Sequence, residues 1–247
     1  MDEVLQLKKR FEELYNRSYG GGCYVYSDFL TLAQQDILVK TVPKNAYALY
    51  GGYDNAERRI ACFGSENICG YKDTPPVCCV KIEPLSQKFA DNLTHRDFLG
   101  SLMALGIKRE TLGDIIVFEN TGFLFCLETI VPYIVENCTS VRHTTVSCSV
   151  VDAPPVDSIK LPDENELVTA SLRCDAVIAA VYKLSRNESQ KLFEQKLVFI
   201  NSANCLSPSQ TLNDSDLVSV RGKGRFIFCG QVYTTKKGRL RIAVRVF

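Results

Sequence analysis

Between residues 153 and 166 the chain reads APPVDSIKLPDENE, with prolines at 154, 155 and 162. Proline has no amide hydrogen, so neither a helix interior nor a central strand can run through such a stretch. The stretch is therefore the best candidate for a boundary between units of the chain. Its 247 residues allow one large domain or two to three small ones. The break reads as a linker, or as an ordered loop tying two domains together. Charge changes across it. Residues 168–247 hold 13 Lys and Arg against 5 Asp and Glu, a balance of +8; residues 1–167 hold 16 against 23, a balance of −7. The total of +1 thus hides a basic unit joined to an acidic body, and a basic unit calls for an anionic partner.

Hydrophobic spacing subdivides the acidic body. In DEVLQLKKRFEELYNRS, Val4, Leu7, Phe11, Leu14 and Tyr15 form one helical stripe, which Gly20, Gly21 and Gly22 break. SDFLTLAQQDILVK predicts a second helix with Ser27 as N-cap, and AYALYGGY and RRIACFG predict short strands. VCCVKIEPL opens the next segment. Thr94 and Asp97 have capping-box spacing ahead of the helix DFLGSLMAL. IIVFEN and GFLFCLE alternate around a turn near Asn120, TIVPYIVENC reads as a helix, and TTVSCSVVD as a strand. Strands interrupted by two helices predict a split βαβ arrangement, one helical layer on a sheet. Phe123 and Phe125 share a strand face there, and burial is favoured over base stacking because the region is not basic.

In the basic unit, SLRCDAVIAAVYK predicts a helix capped by Ser171, with Val177, Ile178, Val181 and Tyr182 facing inward. SRNESQKLFEQ predicts a second, with Ser185 and Glu188 as a capping box. KLVFIN, DLVSVRG, RFIFCGQV and RLRIAVRVF predict strands. The expected class is α+β and multi-domain: a mixed N-terminal part over 1–76, a central α/β sandwich over 77–155, and an αα-β unit over 167–247.

Enzyme motifs are missing. The two histidines, His95 and His143, fall in different elements, and no HExxH, GxSxG, phosphate loop or metal-spaced cysteine pair occurs. His95 reads as a first-turn residue beside the Thr94–Asp97 cap. No metal site and no cofactor is expected. Several of the 11 cysteines lie in apolar runs such as VCCVKI and read as small buried hydrophobes. Their odd number, with no secretory leader and no membrane-length apolar run, predicts a reducing, cytoplasmic setting.

The basic unit carries the functional signal. Its cations recur with acids far fewer than they are, against the habit of an ordinary solvated face. VRGKGR sets Arg221, Lys223 and Arg225 among glycines that let backbone approach a polyanion, and TTKKGR repeats the arrangement with Lys236 and Lys237. Arg173, Arg186, Lys191 and Lys196 complete the candidate phosphate contacts, and Asp175 is expected to orient a neighbouring arginine. Helices this short, tied to a sheet, suit structured RNA read by shape better than a DNA major groove. Phe226, Phe228 and Tyr233 read as core, so no stacking platform for single strands is expected.

SLRCDAVIAAVYKLSRNESQKLFEQKLVFIN resembles the S4 RNA-binding domain. Arg173 and Asp175 match its Arg-x-Asp, Ser185 and Arg186 its Ser-Arg, Asn201 the end of its first strand, and Asp216 to Gly222 its Asp-x-Val-x-Val-Arg-Gly. Cys174 replaces the usual leucine, and Glu194, Gln195 and Lys196 stand where many members have a glycine. Nearly the whole chain resembles the YlmH-like family of Gram-positive bacteria, through FGSENICGY, THRDFLGSLMALGIKRETLGDI and SVRGKGRF. The resemblance implies a central RRM-like domain before the S4 unit. It also implies a non-enzymatic protein that binds rRNA, tRNA and the large ribosomal subunit and handles stalled subunits. Two other readings stand beside it: an adaptor for a cell-division protein, and a pseudouridine-synthase-like RNA-modifying enzyme, for which Asp114 would be the aspartate to test.

Overall fold

A computed structural model describes residues 3–236 and 238–247, so the candidate contact at Lys237 lies outside the described residues. The chain clusters into two compact units, one up to Lys160 and one from Leu161 on. It is α+β, and the described residues form three separate sheets.

In the first unit, helix α1 (Glu3–Gly21) buries Phe11 and Leu14 and runs on through Gly20 and Gly21. It ends where Gly22 turns to φ +57, a left-handed conformation that glycine adopts without strain. Strand β1 (Val25–Tyr26) follows, then α2 (Leu32–Thr41). The cap of α2 is Thr31 rather than Ser27: the Thr31 hydroxyl accepts from the Gln34 amide, and Gln34 accepts from the Thr31 amide at 2.8 Å. Ser27 instead accepts the Ala61 amide at 2.8 Å and donates to the Asp28 carbonyl, fastening the strand beside it. Strands β2 (Tyr47–Tyr50) and β3 (Ile60–Phe63) complete a sheet of order β1-β3-β2, followed by the short α3 (Glu66–Cys69).

The elements β4 (Val77–Pro84), α4 (His95–Ala104), β5 (Leu112–Phe118), β6 (Thr121–Leu127), α5 (Val131–Asn137), β7 (Ser140–Val141) and β8 (Thr144–Val151) build the second sheet, order β5-β6-β4-β8-β7. All neighbours are antiparallel. Strands β4 and β5, joined through α4, stand on either side of β6, which is the split βαβ expected from the sequence. The Thr94–Asp97 box caps α4. Phe123 and Phe125 are buried and share a cluster with Phe29, Ile60, Cys62 and Cys79, so they close the seam between the two sheets and cannot meet a base.

The second unit holds β9 (Glu164–Thr169), α6 (Cys174–Tyr182), α7 (Arg186–Glu194), β10 (Val198–Ile200), β11 (Ala203–Asn204), β12 (Leu217–Val220), β13 (Gly224–Thr234) and β14 (Leu240–Val246). Its sheet has the order β11-β10-β12-β13-β14-β9, and the two helices pack on one face of it through Val177, Ile178, Leu192 and Phe193. Part of the proline-rich break is therefore a strand: β9 pairs with β14 along its whole length, and Arg245 donates to the Pro162 carbonyl and Glu164. Ser171 does not cap α6, which opens behind Arg173 with no side-chain cap. The Ser185–Glu188 box does cap α7.

Candidate nucleic-acid interface

The corner between α6 and α7 starts from a buried carboxylate. Asp175 is 3% exposed and takes the Arg173 guanidinium in two bonds, at 3.0 Å from Nε and 2.8 Å from Nη2, and the Ala176 amide at 2.9 Å. Burial works to raise its carboxyl. The Arg173 bonds and charge, the Ala176 amide and the charge of Arg186 outweigh burial and hold it below its ordinary value. The forked pair fixes Arg173 while leaving its side chain 38% exposed, the orienting role expected of Asp175. The Ser189 hydroxyl donates to the Asp175 carbonyl at 2.7 Å, tying α7 to α6 at this point.

Helix α7 carries Arg186 and Lys191, five residues and so about 140° apart round its axis, and the β12–β13 turn supplies Lys223. The Glu188 carboxyl lies below its ordinary value, first through the Ser185 cap and then through the charges of Lys223 and Lys191, which places both lysines beside it. Gly222 has φ +81 and nothing within 4 Å of where a Cβ would stand, so the turn is open to an approaching chain. The other end of β12 is braced: Asn201, itself at φ 49, donates to Asp216 at 2.8 Å and accepts the Leu217 amide at 3.0 Å. The motif residues Asn201 and Asp216 thus hold the strand ends and do not reach outward as contacts.

The remaining cations divide. Lys196 sits exposed at φ 56 in the turn after α7, next to Leu197, whose carbonyl accepts the Arg221 amide. Arg221 and Arg225 are exposed and lie over the rings of Phe199 and Phe247, at 4.7 and 4.5 Å. Lys236 sits past the far end of the 11-residue β13, about 30 Å from Lys223 at a strand's rise, so it belongs to a different end of the sheet. There, Val168, Thr235, Lys236 and Arg239 line an open concavity. Arg241 and Arg245 are neutralised: they pair with Glu166 and Glu164 of β9 at 2.7 and 3.2 Å. Among the described residues no ion pair engages Arg186, Lys191, Lys196, Arg221 or Lys223. Phe199 and Phe247 were missed from the sequence; the alternation in VFI, with Val198 and Ile200 inward, was the available signal for Phe199.

The catalytic candidates have other occupations. Asp114 accepts the Tyr53 hydroxyl at 2.9 Å and the amides of Glu57 and Arg58 at 2.7 and 3.2 Å, so its oxygens close a seam. His95 is the first residue of α4. Burial pushes the thiols of Cys62, Cys79 and Cys126 up to about 12, which makes them packing groups and not nucleophiles. No group of three or more His, Cys, Asp or Glu side chains suited to a metal ion occurs among the described residues, and none of their helices is long and apolar enough to cross a membrane.

A family model described as "Putative RNA-binding domain in YlmH" matches residues 77–154. The "Ribosome-associated protein quality control protein P2" of Bacillus subtilis (strain 168) is 30% identical over 98% of this chain and 92% of its own length. A solved structure, the "Cell division protein ylmH from Streptococcus pneumoniae", aligns with a TM-score of 0.50 at 18% identity, over 65% of this chain and 96% of that one.

Proposed function

The chain belongs to the YlmH family, and we propose that it is a non-enzymatic RNA-binding protein of the translation apparatus, whose C-terminal S4-like unit docks on structured rRNA or tRNA. The observation that carries this reading is the α6–α7 corner. Arg173 is oriented by Asp175, Arg186 adds its charge there, and Lys191 and Lys223 stand beside Glu188 of the same corner with no ion pair formed among the described residues. Flexible cations round two helix starts and an open glycine turn make phosphate contacts that position an RNA without reading its bases. Lys196, Arg221 and Arg225 extend the contact along the sheet end. Lys236 would touch a separate segment of a large RNA.

In this reading residues 167–247 are the RNA grip, 77–155 the central domain and 1–76 its packed companion. The description attached to residues 77–154 supports RNA contact by the central domain too, through a surface other than the buried Phe123 and Phe125. The Bacillus subtilis relative's name supports a ribosome-associated, quality-control role; the large subunit as partner, with stalled subunits as the occasion, is our proposal. The test is binding to large ribosomal subunits and to tRNA over a salt series. The wild-type protein should show a steep loss of affinity with salt, and the double variant Arg186→Ala, Lys223→Ala should lose about two phosphate contacts from the slope. An unchanged slope would place the interface elsewhere.

The division reading rests on the Streptococcus pneumoniae protein's title. A pull-down of a division protein that survives ribonuclease treatment would favour it, because a direct adaptor keeps its partner when RNA is gone.

A further inference from the structure

The face of the C-terminal sheet turned away from the helices carries its own chemistry. On the inner face Val198, Ile200, Val218, Val220 and Phe226 pack against α6 and α7. Alternation sends Phe199, Ser219 and Arg225 to the opposite face. The strand register sets them side by side: Phe199 opposite Ser219, and Ser219 opposite Arg225. The Phe247 amide donates to the Arg225 carbonyl at 3.1 Å, so Phe247 continues the same row. Phe199 is half-buried and Phe247 is 46% exposed. Each ring carries a guanidinium, Arg221 on Phe199 at 4.7 Å and Arg225 on Phe247 at 4.5 Å. The two stacks are about three strand spacings apart, roughly 14 Å, and the short Ser219 side chain lies between them.

From this row we infer that the outer face of the sheet binds an unpaired nucleotide of the RNA, its base stacked on an arginine held flat by an aromatic ring. The inference rests on the RNA-binding reading above and deepens it. A guanidinium backed by a ring is held in place and has a second face on which a base can stack. The cations beside α7 hold the paired stem, and the Phe199–Arg221 and Phe247–Arg225 pairs take the base that leaves it. The site prefers any RNA with a bulge or loop over a continuous duplex, with little choice among bases, since every base has a π face.

The experiment compares the full chain on two RNA hairpins of equal length and charge, one fully paired and one with a bulged 2-aminopurine. The wild type should bind the bulged hairpin about tenfold tighter, with the same salt slope, and should quench the 2-aminopurine fluorescence. Phe199→Leu and Phe247→Leu keep an apolar side chain in the row, and Arg221→Lys keeps the charge. Each should lower the bulged-to-paired ratio, and the double variant Phe199→Leu, Phe247→Leu should bring it close to one and abolish the quenching. A wild-type ratio of one, or a ratio that the variants leave unchanged, overturns the inference and gives the face to another partner. Binding to neither hairpin, nor to ribosomal subunits or tRNA, brings down the RNA-binding reading itself.

Discussion

Asp114 in the first unit and Asp175 in the second both lie among arginines, and they use their oxygens differently. Asp114 receives the Tyr53 hydroxyl and two amides, while the neighbouring Arg58 turns its guanidinium to the carbonyls of Leu112, Phe29 and Arg109 at 2.9 to 3.2 Å. Burial first, and Arg109 beside it, bring the Arg58 guanidinium down to about 10 against the opposing pull of Asp114 and Glu110. Every charge there is turned inward to lock two segments together. Asp175 instead grips Arg173 and leaves it facing solvent. A cation signals a binding surface only when the fold has not already consumed its donors. The same lesson separates Arg241 and Arg245, matched to β9, from Arg186 and Lys223.

The comparison breaks most sharply at Asp114. Asp114→Ala strands two amides and a hydroxyl and removes the carboxylate beside the half-buried Arg58. It should cost about 3 kcal/mol of stability by chemical denaturation. RNA affinity of the protein that remains folded should not change; a large affinity loss with unchanged stability would make Asp114 a functional residue. The reverse pattern is expected of Arg186→Ala with Lys223→Ala: about a tenfold loss of RNA affinity at moderate salt and little change in melting temperature. Arg241→Ala with Arg245→Ala, removing a similar charge from the neutralised edge, should stay within about twofold by the same titration, because its cations already face acids.

Acid sharpens the contrast further. Because the folded Asp175 carboxyl lies below its ordinary value, the unfolded chain takes up that proton first as pH falls. Its stabilisation is complete above the ordinary carboxylate value, near 3.9, and is lost as pH drops through the folded value. Asp175→Asn should therefore flatten the acid limb of the stability curve measured below about pH 4; an identical limb in the variant would show that the Arg173 pair contributes nothing to folding. Among the stability changes the smallest is expected at Gly222→Ala, where the left-handed φ of +81 costs an alanine about 1 kcal/mol in an open turn. Circular-dichroism melts would register it as a shift of a few degrees.

Much of the fold was legible because its signals are local. The capping boxes at Thr94–Asp97 and Ser185–Glu188 depend on residues three apart, and both form. The buried faces of α6 and α7 and the alternation in GFLFCLE follow from periods of 3.6 and 2. The local rule also failed twice. Ser27 and Ser171 look like caps, yet Ser27 bonds to Ala61, 34 residues on, and α6 opens without a side-chain cap. At the candidate site the unbalanced count of cations was legible, whereas the forked contact of Asp175 with Arg173 is what the structure adds.

By itself, then, the sequence determined the α+β class, the split βαβ of the central sheet and the charge asymmetry between its two parts. Only the tertiary structure decided which cations are available. Glu164 and Glu166 stand in a stretch that reads as a linker, and they meet Arg245 and Arg241 because β9 joins the sheet edge in one register. Lys236 parts company with Lys223 because an uninterrupted strand runs between them. Phe199 and Phe247, 48 positions apart, share a row because four strands align. Caps and periods are set by neighbours along the chain. Ion pairs and cross-strand rows are set by register, and register is fixed only when the whole sheet closes over its core.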